Sequence, residues 1–119
     1  MTSVLVVDDE PDARYLLRHA FEQAGYEVRE AAHGLAALAA IAQSVPDLVV
    51  TDMMMPVMDG AELIRWLRAD FRFADIPILC VSGNSELAIG ADFALDKYGD
   101  LAELIPMAET LLNEGRGSR

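Results

Sequence analysis

Basic residues are scarce in this sequence: nine lysines and arginines stand against 20 aspartates and glutamates, and the formal net charge is −11. So acidic a chain repels a phosphate backbone, which disfavours unaided nucleic-acid binding. The same charge suits a magnesium ion or a basic partner surface, with simple solubility as the alternative explanation. Charge alone does not separate these interpretations.

Cysteine is almost absent as well. Cys80 is the single one, which excludes an internal disulfide and favours a reducing compartment. Because Cys80 lies in the apolar run PILCVS, we predict an inert buried thiol and not a nucleophile. No charged-then-apolar leader opens the chain, and no apolar run could span a bilayer. We therefore predict a soluble cytoplasmic protein with no membrane partner.

A glycine-rich phosphate loop is also missing, since no G-x-G-x-x-G follows the first apolar run; this disfavours a dinucleotide-binding fold. The chain does have enough hydrophobic residues, 53% of 119, to form one ordinary domain with a core. We place this domain at residues 1–114. Residues 115–119 are predicted to be a frayed tail, either native or added by cloning.

Strand and helix patterns alternate along the chain. The segments SVLVVDD, YEVREA, DLVVTD, IPILCVS and DFALDK predict five strands. This order predicts an α/β fold of the flavodoxin-like doubly wound class, with a five-stranded parallel sheet in the order 2-1-3-4-5. Only seven residues separate Ser82 from Gly90, a helical length of roughly 10 Å, so the fourth helix is predicted to be short or absent.

Individual residues predict where helices begin and end. Pro11 is expected to start the first helix and Gly25 to end it, and Asp59 to cap the third. Pro106 predicts that the last helix starts late or bends. Apolar residues at helical spacing mark the first helix at Leu16, Leu17 and Phe21, and the third at Leu63, Ile64, Leu67 and Phe71.

Polar side chains follow the predicted strands. The first strand ends in Asp8 and Asp9, the third in Asp52, the fourth in Ser82 and the fifth in Lys97. Parallel strands bring these ends to one edge of the sheet. Three neighbouring carboxylates repel one another, so a cation is required, and Mg²⁺ and the lysine are the candidates. A carboxylate beside a metal, an ammonium and a hydroxyl predicts phosphoryl transfer.

Five segments together resemble the receiver domain of bacterial two-component response regulators: VLVVDDEP, GYEVREAAHGLAAL, PDLVVTDMMMPVMDG, IPILCVSG and GADFALDK. They cover nearly the whole chain in the family's order. The resemblance implies that Asp52 accepts a phosphoryl group from the phosphohistidine of a histidine kinase or a histidine phosphotransfer protein. It also implies a signalling module that catalyses only its own phosphoryl transfer and hydrolysis. With no effector domain in these residues, the expected output is contact with a downstream protein or phosphate relay.

The resemblance assigns a role to each residue of the site. Asp9 and, less directly, Asp8 would hold Mg²⁺ together with Asp52. Gly83 would leave space for the phosphoryl group. Catalytic roles are implied for Asp52, Ser82 and Lys97, and magnesium ligation for Asp8, Asp9, Asp52 and Met54, the last through its backbone carbonyl.

Three features depart from the family's usual pattern. Tyr98 and Gly99 follow the lysine where the family usually has proline and then an aromatic residue. Ala94 stands where the family usually has an aromatic ring that turns inward on phosphorylation, and Phe93 is expected to face the other way. The third feature is the short segment from Gly83 to Ala91. These features are similar to a subclass of receivers associated with histidine kinases in alphaproteobacteria, and they predict an order–disorder switch.

Other interpretations stay open at this stage. The alternative function is a phosphorylation-independent interaction module whose degenerate output face is a constitutive docking surface. An enzyme of the haloacid-dehalogenase type is disfavoured because Met54 stands where a second aspartate is needed. The loop methionines are expected to pack and not to bind a soft metal, since no histidine or cysteine accompanies them. Trp66 is expected to be partly exposed, as a partner contact or as packing.

Overall fold

The computed structural model describes residues 1–83, 88–97 and 101–114. In these residues strands and helices alternate, and a short 3-10 turn, Leu101–Glu103, precedes the last helix. The strands are Ser3–Val7 (β1), Glu27–Ala31 (β2), Leu48–Thr51 (β3), Ile78–Ser82 (β4) and Phe93–Asp96 (β5), and the helices are Pro11–Gln23 (α1), Gly34–Gln43 (α2), Gly60–Ala69 (α3) and Leu104–Glu114 (α4).

The five strands form one parallel sheet in the order β2-β1-β3-β4-β5. The predicted flavodoxin-like doubly wound fold and its strand order are therefore confirmed. β1 and β3 lie next to each other at the point where the strand order reverses. In such sheets functional side chains gather outside the carboxyl ends of the strands at that point.

Alternate residues of β1 enter two separate cores on opposite faces of the sheet. Leu5 and Val7 pack with residues of α2 and α3, whereas Val4 and Val6 pack with residues of α1 and α4. None of these four side chains is exposed. Full burial of each such side chain contributes about 1.5–3 kcal/mol. A strand covered on both faces explains why the sequence of β1 is a continuous apolar run.

Two of the apolar residues that mark helices in the sequence are exposed: Leu16 lies in the first helix as predicted, whereas Phe71 lies outside the third helix, so that part of the prediction was wrong. Leu16 is 62% exposed, because Leu17 and Phe21 carry the buried stripe of α1. Phe71 is 92% exposed, because α3 ends at Ala69 and the backbone of Asp70 is extended, with φ −102° and ψ 117°. Helical spacing continued in the sequence past the end of the helix.

The helix boundaries otherwise follow the sequence signals. Pro11 begins α1, and Gly25, just beyond its end, has the left-handed φ of +96°. Pro106 lies in the first turn of α4, where its missing N–H removes no helical hydrogen bond, so the predicted late start is confirmed. Of the described helices the longest, α1, has 13 residues, and none has the length and apolar character needed to cross a bilayer.

The connection between β4 and β5 is described only in part. Gly83 and residues 88–92 form turns and bends, and none of these residues is helical. The described residues thus hold four α-helices, which agrees with the predicted shortening of the fourth helix. Glu86, Tyr98, Gly99 and the tail at 115–119 lie outside the described residues.

Arg68 of α3 holds the last part of this connection. Its guanidinium donates to the carbonyl oxygens of Gly90 at 3.1 Å, Ala74 at 3.1 Å and Ile76 at 2.8 Å. It also pairs with Asp92 Oδ2 at 2.9 Å, and the two side chains are only 15% and 16% exposed. Arg68 therefore joins α3 to the segments on both sides of β4.

Candidate functional site

The β1–β3 ladder places Asp8 and Asp52 side by side. Val7 pairs with Thr51 in this ladder, and Asp52 extends it by donating its N–H to the carbonyl oxygen of Val7 at 3.0 Å. The next residue of each strand is therefore an acid at the same edge. Asp8 is fully buried and Asp52 is 6% exposed. Two buried, adjacent carboxylates are unfavourable unless a cation offsets their charge.

The ammonium group of Lys97 is that cation. The N–H of Lys97 donates to the carbonyl oxygen of Ser82 at 3.2 Å, which brings the residue to the same edge of the sheet. Its Nζ lies 2.9 Å from Asp8 Oδ2 and 3.0 Å from Asp52 Oδ2, and it also contacts Oε1 of Glu10. The Lys97 side chain is 7% exposed. One ammonium group thus joins three carboxylates.

Two opposing effects act on the pKa of Lys97. Burial is the largest single effect and lowers this pKa. The contacts with the carboxylates of Glu10, Asp8 and Asp52 raise it and together prevail, so the pKa of Lys97 lies above its ordinary value. Lys97 therefore keeps its positive charge at neutral pH.

The two oxygens of Asp8 differ in their surroundings. Oδ1 accepts the N–H of Glu10 at 2.9 Å. Oδ2 is buried and accepts no hydrogen bond from the described residues, although Nζ of Lys97 is near it. Burial raises the pKa of Asp8, and the N–H of Glu10 and the charge of Lys97 oppose this rise without cancelling it. A buried oxygen with unused lone pairs is a natural metal ligand.

The donor set fits a magnesium ion. Asp8, Glu10 and Asp52 each offer a carboxylate oxygen within 4.8 Å of the other two. Mg²⁺ prefers such hard oxygen ligands. The backbone of Met54 is adjacent, since its N–H lies 3.4 Å from Asp52 Oδ1. Asp9 is half-buried, and it is not a member of this carboxylate cluster among the described residues.

Backbone groups fix the direction of the Asp52 carboxylate. Oδ1 accepts the N–H of Met53 at 2.7 Å and faces that of Met54, while Oδ2 accepts a hydrogen bond from Lys97. One oxygen is thus held by the backbone and the other by an ammonium group. A carboxylate held in one orientation is suited to in-line attack on an electrophile such as a phosphorus atom.

The loop after Asp52 is held from two sides. The N–H of Gly34 at the start of α2 donates to the carbonyl oxygen of Met58, and that of Gly60 donates to Met53, both at 3.0 Å. A Cβ atom at Gly60 would overlap the carbonyl oxygen of Asp52, so only glycine fits this position. The loop therefore has little freedom to move away from the site.

A strained turn lies in the middle of this loop. Val57 has a left-handed φ of +69°, which is unfavourable for a β-branched residue, and it is 72% exposed. The N–H of Met58 donates to the carbonyl oxygen of Pro56 at 2.7 Å and closes a three-residue turn. Asp59 then accepts the N–H of Glu62 at 2.9 Å and caps α3, as predicted.

The sulfur-containing residues near the site have structural roles. Met53 and Met58 are buried in the core beside α3, so the loop methionines contribute packing, as predicted; the side chain of Met54 is 57% exposed. Burial, with a smaller effect of the Asp52 charge, raises the pKa of Cys80 to about 12. A thiol with so high a pKa is not a nucleophile at neutral pH.

The remaining predicted residues lie along β4 and β5. Ser82 is buried at the end of β4, and Gly83 follows it in an exposed turn. Ala94 is half-buried and packs against the core beside α2 and α3, whereas Phe93 is 42% exposed. Phe93 therefore does not replace the aromatic ring that Ala94 lacks. Trp66 is 57% exposed, which confirms its predicted partial exposure.

Sequence reasoning missed Glu10. This residue follows the paired acids and precedes Pro11, so its position indicated only the start of a helix. It occupies the N-cap position of α1, but its side chain makes no capping hydrogen bond and instead contacts Lys97. A third consecutive acid was the available signal, although the direction of its side chain could not be predicted from the sequence.

The protein-family model of the response regulator receiver domain matches residues 4–109 of this chain. The DNA-binding dual master transcriptional regulator RpaA of Synechocystis sp. is 34% identical over 119 residues, which cover 94% of this chain and 49% of RpaA. The chain spans about half the length of the curated relatives it matches.

Solved structures show the same similarity. The signal receiver domain of a signal transduction histidine kinase from Syntrophus aciditrophicus is 28% identical with a TM-score of 0.87, over 95% of this chain and 91% of that one. The response regulator TrrA of Thermotoga maritima, solved in complex with Mg²⁺ and BeF, is 31% identical with a TM-score of 0.85, over 93% and 99% of the two chains. Sequence and fold thus agree, and the chain belongs to the response regulator receiver domains, the signalling modules of two-component systems.

Proposed function

We propose that this domain is a phosphoacceptor that takes a phosphoryl group from a phosphohistidine onto Asp52. The observation that supports this function best is the Asp52 carboxylate, fixed by the backbone N–H of Met53 and lying 3.0 Å from the ammonium of Lys97. Buried Asp8 lies beside them. A plain structural ion pair would not need a second buried carboxylate.

The proposed transfer uses these residues directly. An oxygen of Asp52 attacks the phosphorus atom, the new P–O bond forms as the P–N bond to the donor histidine breaks, and the imidazole leaves. Lys97 stabilises the negative charge on the phosphoryl oxygens. We assign Ser82, at the end of β4, as the hydroxyl donor to a phosphoryl oxygen. The role of Gly83 in leaving space remains a prediction.

Asp8 and Asp52 would hold Mg²⁺, with Asp9 and the backbone carbonyl of Met54 as the further ligands that the family resemblance implies. The bound ion supplies positive charge that offsets the acids and the incoming phosphoryl group. The unbonded Oδ2 of Asp8 and the Mg²⁺–BeF complex of TrrA support this assignment.

We propose that the partners are a histidine kinase or a histidine phosphotransfer protein and a downstream protein reached by contact or relay. Ala94 offers no ring to turn inward, so the response would pass through the segment between β4 and β5. The predicted order–disorder switch and the likeness to the alphaproteobacterial subclass remain predictions. The phosphorylation-independent interaction module is not favoured, because it gives no reason for the buried carboxylates beside Lys97.

The test is phosphorylation in solution. Wild-type protein is incubated with acetyl phosphate and Mg²⁺, and intact mass is measured; the expected result is the addition of one phosphoryl group. Asp52→Asn should show no addition, and wild type in EDTA should show little. Backbone amide spectra with beryllium fluoride and Mg²⁺ should change in wild type only. Absence of both responses in wild type would reject the proposed function.

A further inference from the structure

The ammonium of Lys97 is shared by three carboxylates: it hydrogen-bonds to Glu10 and Asp52 and forms an ion pair with Asp8. An ammonium group has three N–H donors, and three carboxylates, those of Asp8, Glu10 and Asp52, lie within ion-pair distance of this one. A phosphoryl oxygen on Asp52 that is to pair with Lys97 must therefore compete with the carboxylates that remain charged around it.

Two of the three neighbours are held in place. Asp8 is fully buried, and its Oδ1 accepts the N–H of Glu10. The Asp52 side chain is 7% exposed, and its Oδ1 accepts the N–H of Met53. Moving either carboxylate away from Lys97 would break a backbone hydrogen bond in a buried place.

The carboxylate of Glu10 is different. Its side chain is 55% exposed, it makes no capping hydrogen bond to α1, and the contact described for it is the one with Lys97. Water can take the place of Lys97 around this carboxylate at small cost. Glu10 is thus the neighbour that can leave.

We propose that Glu10 is a positioning residue that holds the Lys97 ammonium in the unphosphorylated domain and competes with the phosphoryl group for it. This inference rests on the proposed function and adds a restraint to the same site. Glu10 thus opposes formation of the phosphorylated state, because its carboxylate and the phosphoryl group attract the same ammonium. Removal of the Glu10 carboxylate should therefore strengthen binding of a phosphoryl group, even though a carboxylate near the proposed magnesium site is lost.

The matched variants are Glu10→Ala and Asp12→Ala. Both remove one negative charge near the start of α1, but Asp12 is an exposed residue that is not among the contacts described for Lys97. At saturating Mg²⁺, Glu10→Ala should bind beryllium fluoride about two- to fivefold more tightly than Asp12→Ala, the range expected for a partly exposed ion pair. Isothermal titration calorimetry measures both affinities.

A second measurement needs no phosphoryl chemistry. The side-chain ¹⁵N resonance of the Lys97 ammonium, observed without Mg²⁺ or beryllium fluoride, should shift in Glu10→Ala and stay in place in Asp12→Ala. A general effect of charge on folding would move the backbone spectra of both variants alike. This readout tests the contact separately from its consequence.

The outcomes are distinguishable. A tighter complex together with the Lys97 shift in Glu10→Ala alone supports the proposal. If wild type binds beryllium fluoride and the two variants bind it equally, the competition is rejected while the phosphoacceptor function stands. If Glu10→Ala binds it more weakly than Asp12→Ala, Glu10 assists the site, as a metal ligand would, and the proposal is overturned. If wild type does not bind it at all, the proposed function fails and this inference with it.

Discussion

Asp8 is a carboxylate with no exposed surface, and its pKa shows the effect of that burial. Because its folded-state pKa is raised, the folded protein holds a proton at Asp8 more readily than the unfolded chain does. Stability linked to this group is fully present below its unfolded value of 3.8 and is lost as the pH rises through the folded value. At neutral pH the ionised Asp8 therefore lowers the free energy of unfolding.

The prediction is that Asp8→Asn is more stable than wild type at neutral pH in EDTA. The difference should shrink as the pH falls toward the unfolded pKa of Asp8, and saturating Mg²⁺ should reduce it as well, since the ion stabilises wild type. Urea unfolding across this pH range, with and without Mg²⁺, measures the effect. A variant that is less stable at every pH would show that the pair with Lys97 outweighs the burial of the charge.

At the scale of elements, Arg68 joins α3 to the segments before and after β4. It bonds to three carbonyl oxygens and pairs with Asp92, whose Oδ2 also accepts the N–H of Ile78 at 2.7 Å. These bonds fix the end of the connection that enters β5.

We predict that Arg68→Ala lowers the free energy of unfolding by about 2–3 kcal/mol, because it removes the hydrogen bonds to three carbonyl oxygens and the ion pair with Asp92. Arg65→Ala is the matched control on the same helix, since Arg65 is exposed, and it should change stability by less than about 0.5 kcal/mol. Urea unfolding gives both values, and hydrogen exchange at Asp92 reports the local loss. Equal stability of the two variants would rule out this role for Arg68.

The elements also show which parts of the structure are predictable from the sequence. The apolar runs of β1, β3 and β4 carry a strong signal because both faces of each strand are buried. The ends of β1 and β3 then place Asp8 and Asp52 at one edge of the sheet, and the less buried β5 brings Lys97 there. The fold and these three positions followed from that pattern. Helical spacing placed Leu16 correctly in α1 but did not show that it is exposed, and it extended the third helix wrongly to Phe71, because periodicity does not show where a helix ends.

The contacts of long polar side chains were not predicted from the sequence either. Glu10 and Arg68 act through flexible chains whose direction depends on partners far away in the sequence: Lys97 for the first, Asp92 and Gly90 for the second. No local pattern encodes such a pairing. Short side chains at strand ends are placed by the backbone alone, which is why the aspartates were predictable.

For the molecule as a whole, the net charge of −11 opposes the compact state. Monovalent salt should therefore raise the thermal midpoint modestly by screening this repulsion. MgCl₂ at the same ionic strength should raise it further in wild type, and this excess should be much smaller in Asp52→Asn, which retains general screening but loses a carboxylate of the site. Differential scanning fluorimetry at matched ionic strength measures both effects. An equal excess in the two proteins would indicate non-specific magnesium binding.

The pairing of Val7 with Thr51 makes formation of the site depend on folding of the sheet. Asp8 and Asp52 are 44 positions apart in the chain and become neighbours only through this ladder, and Lys97 joins them only once β5 is in place. A newly made or partly unfolded chain thus has the acids but no site. Only molecules with a completely folded sheet would then accept a phosphoryl group. Under the proposed function, unfolded or partly folded molecules would take no part in signalling.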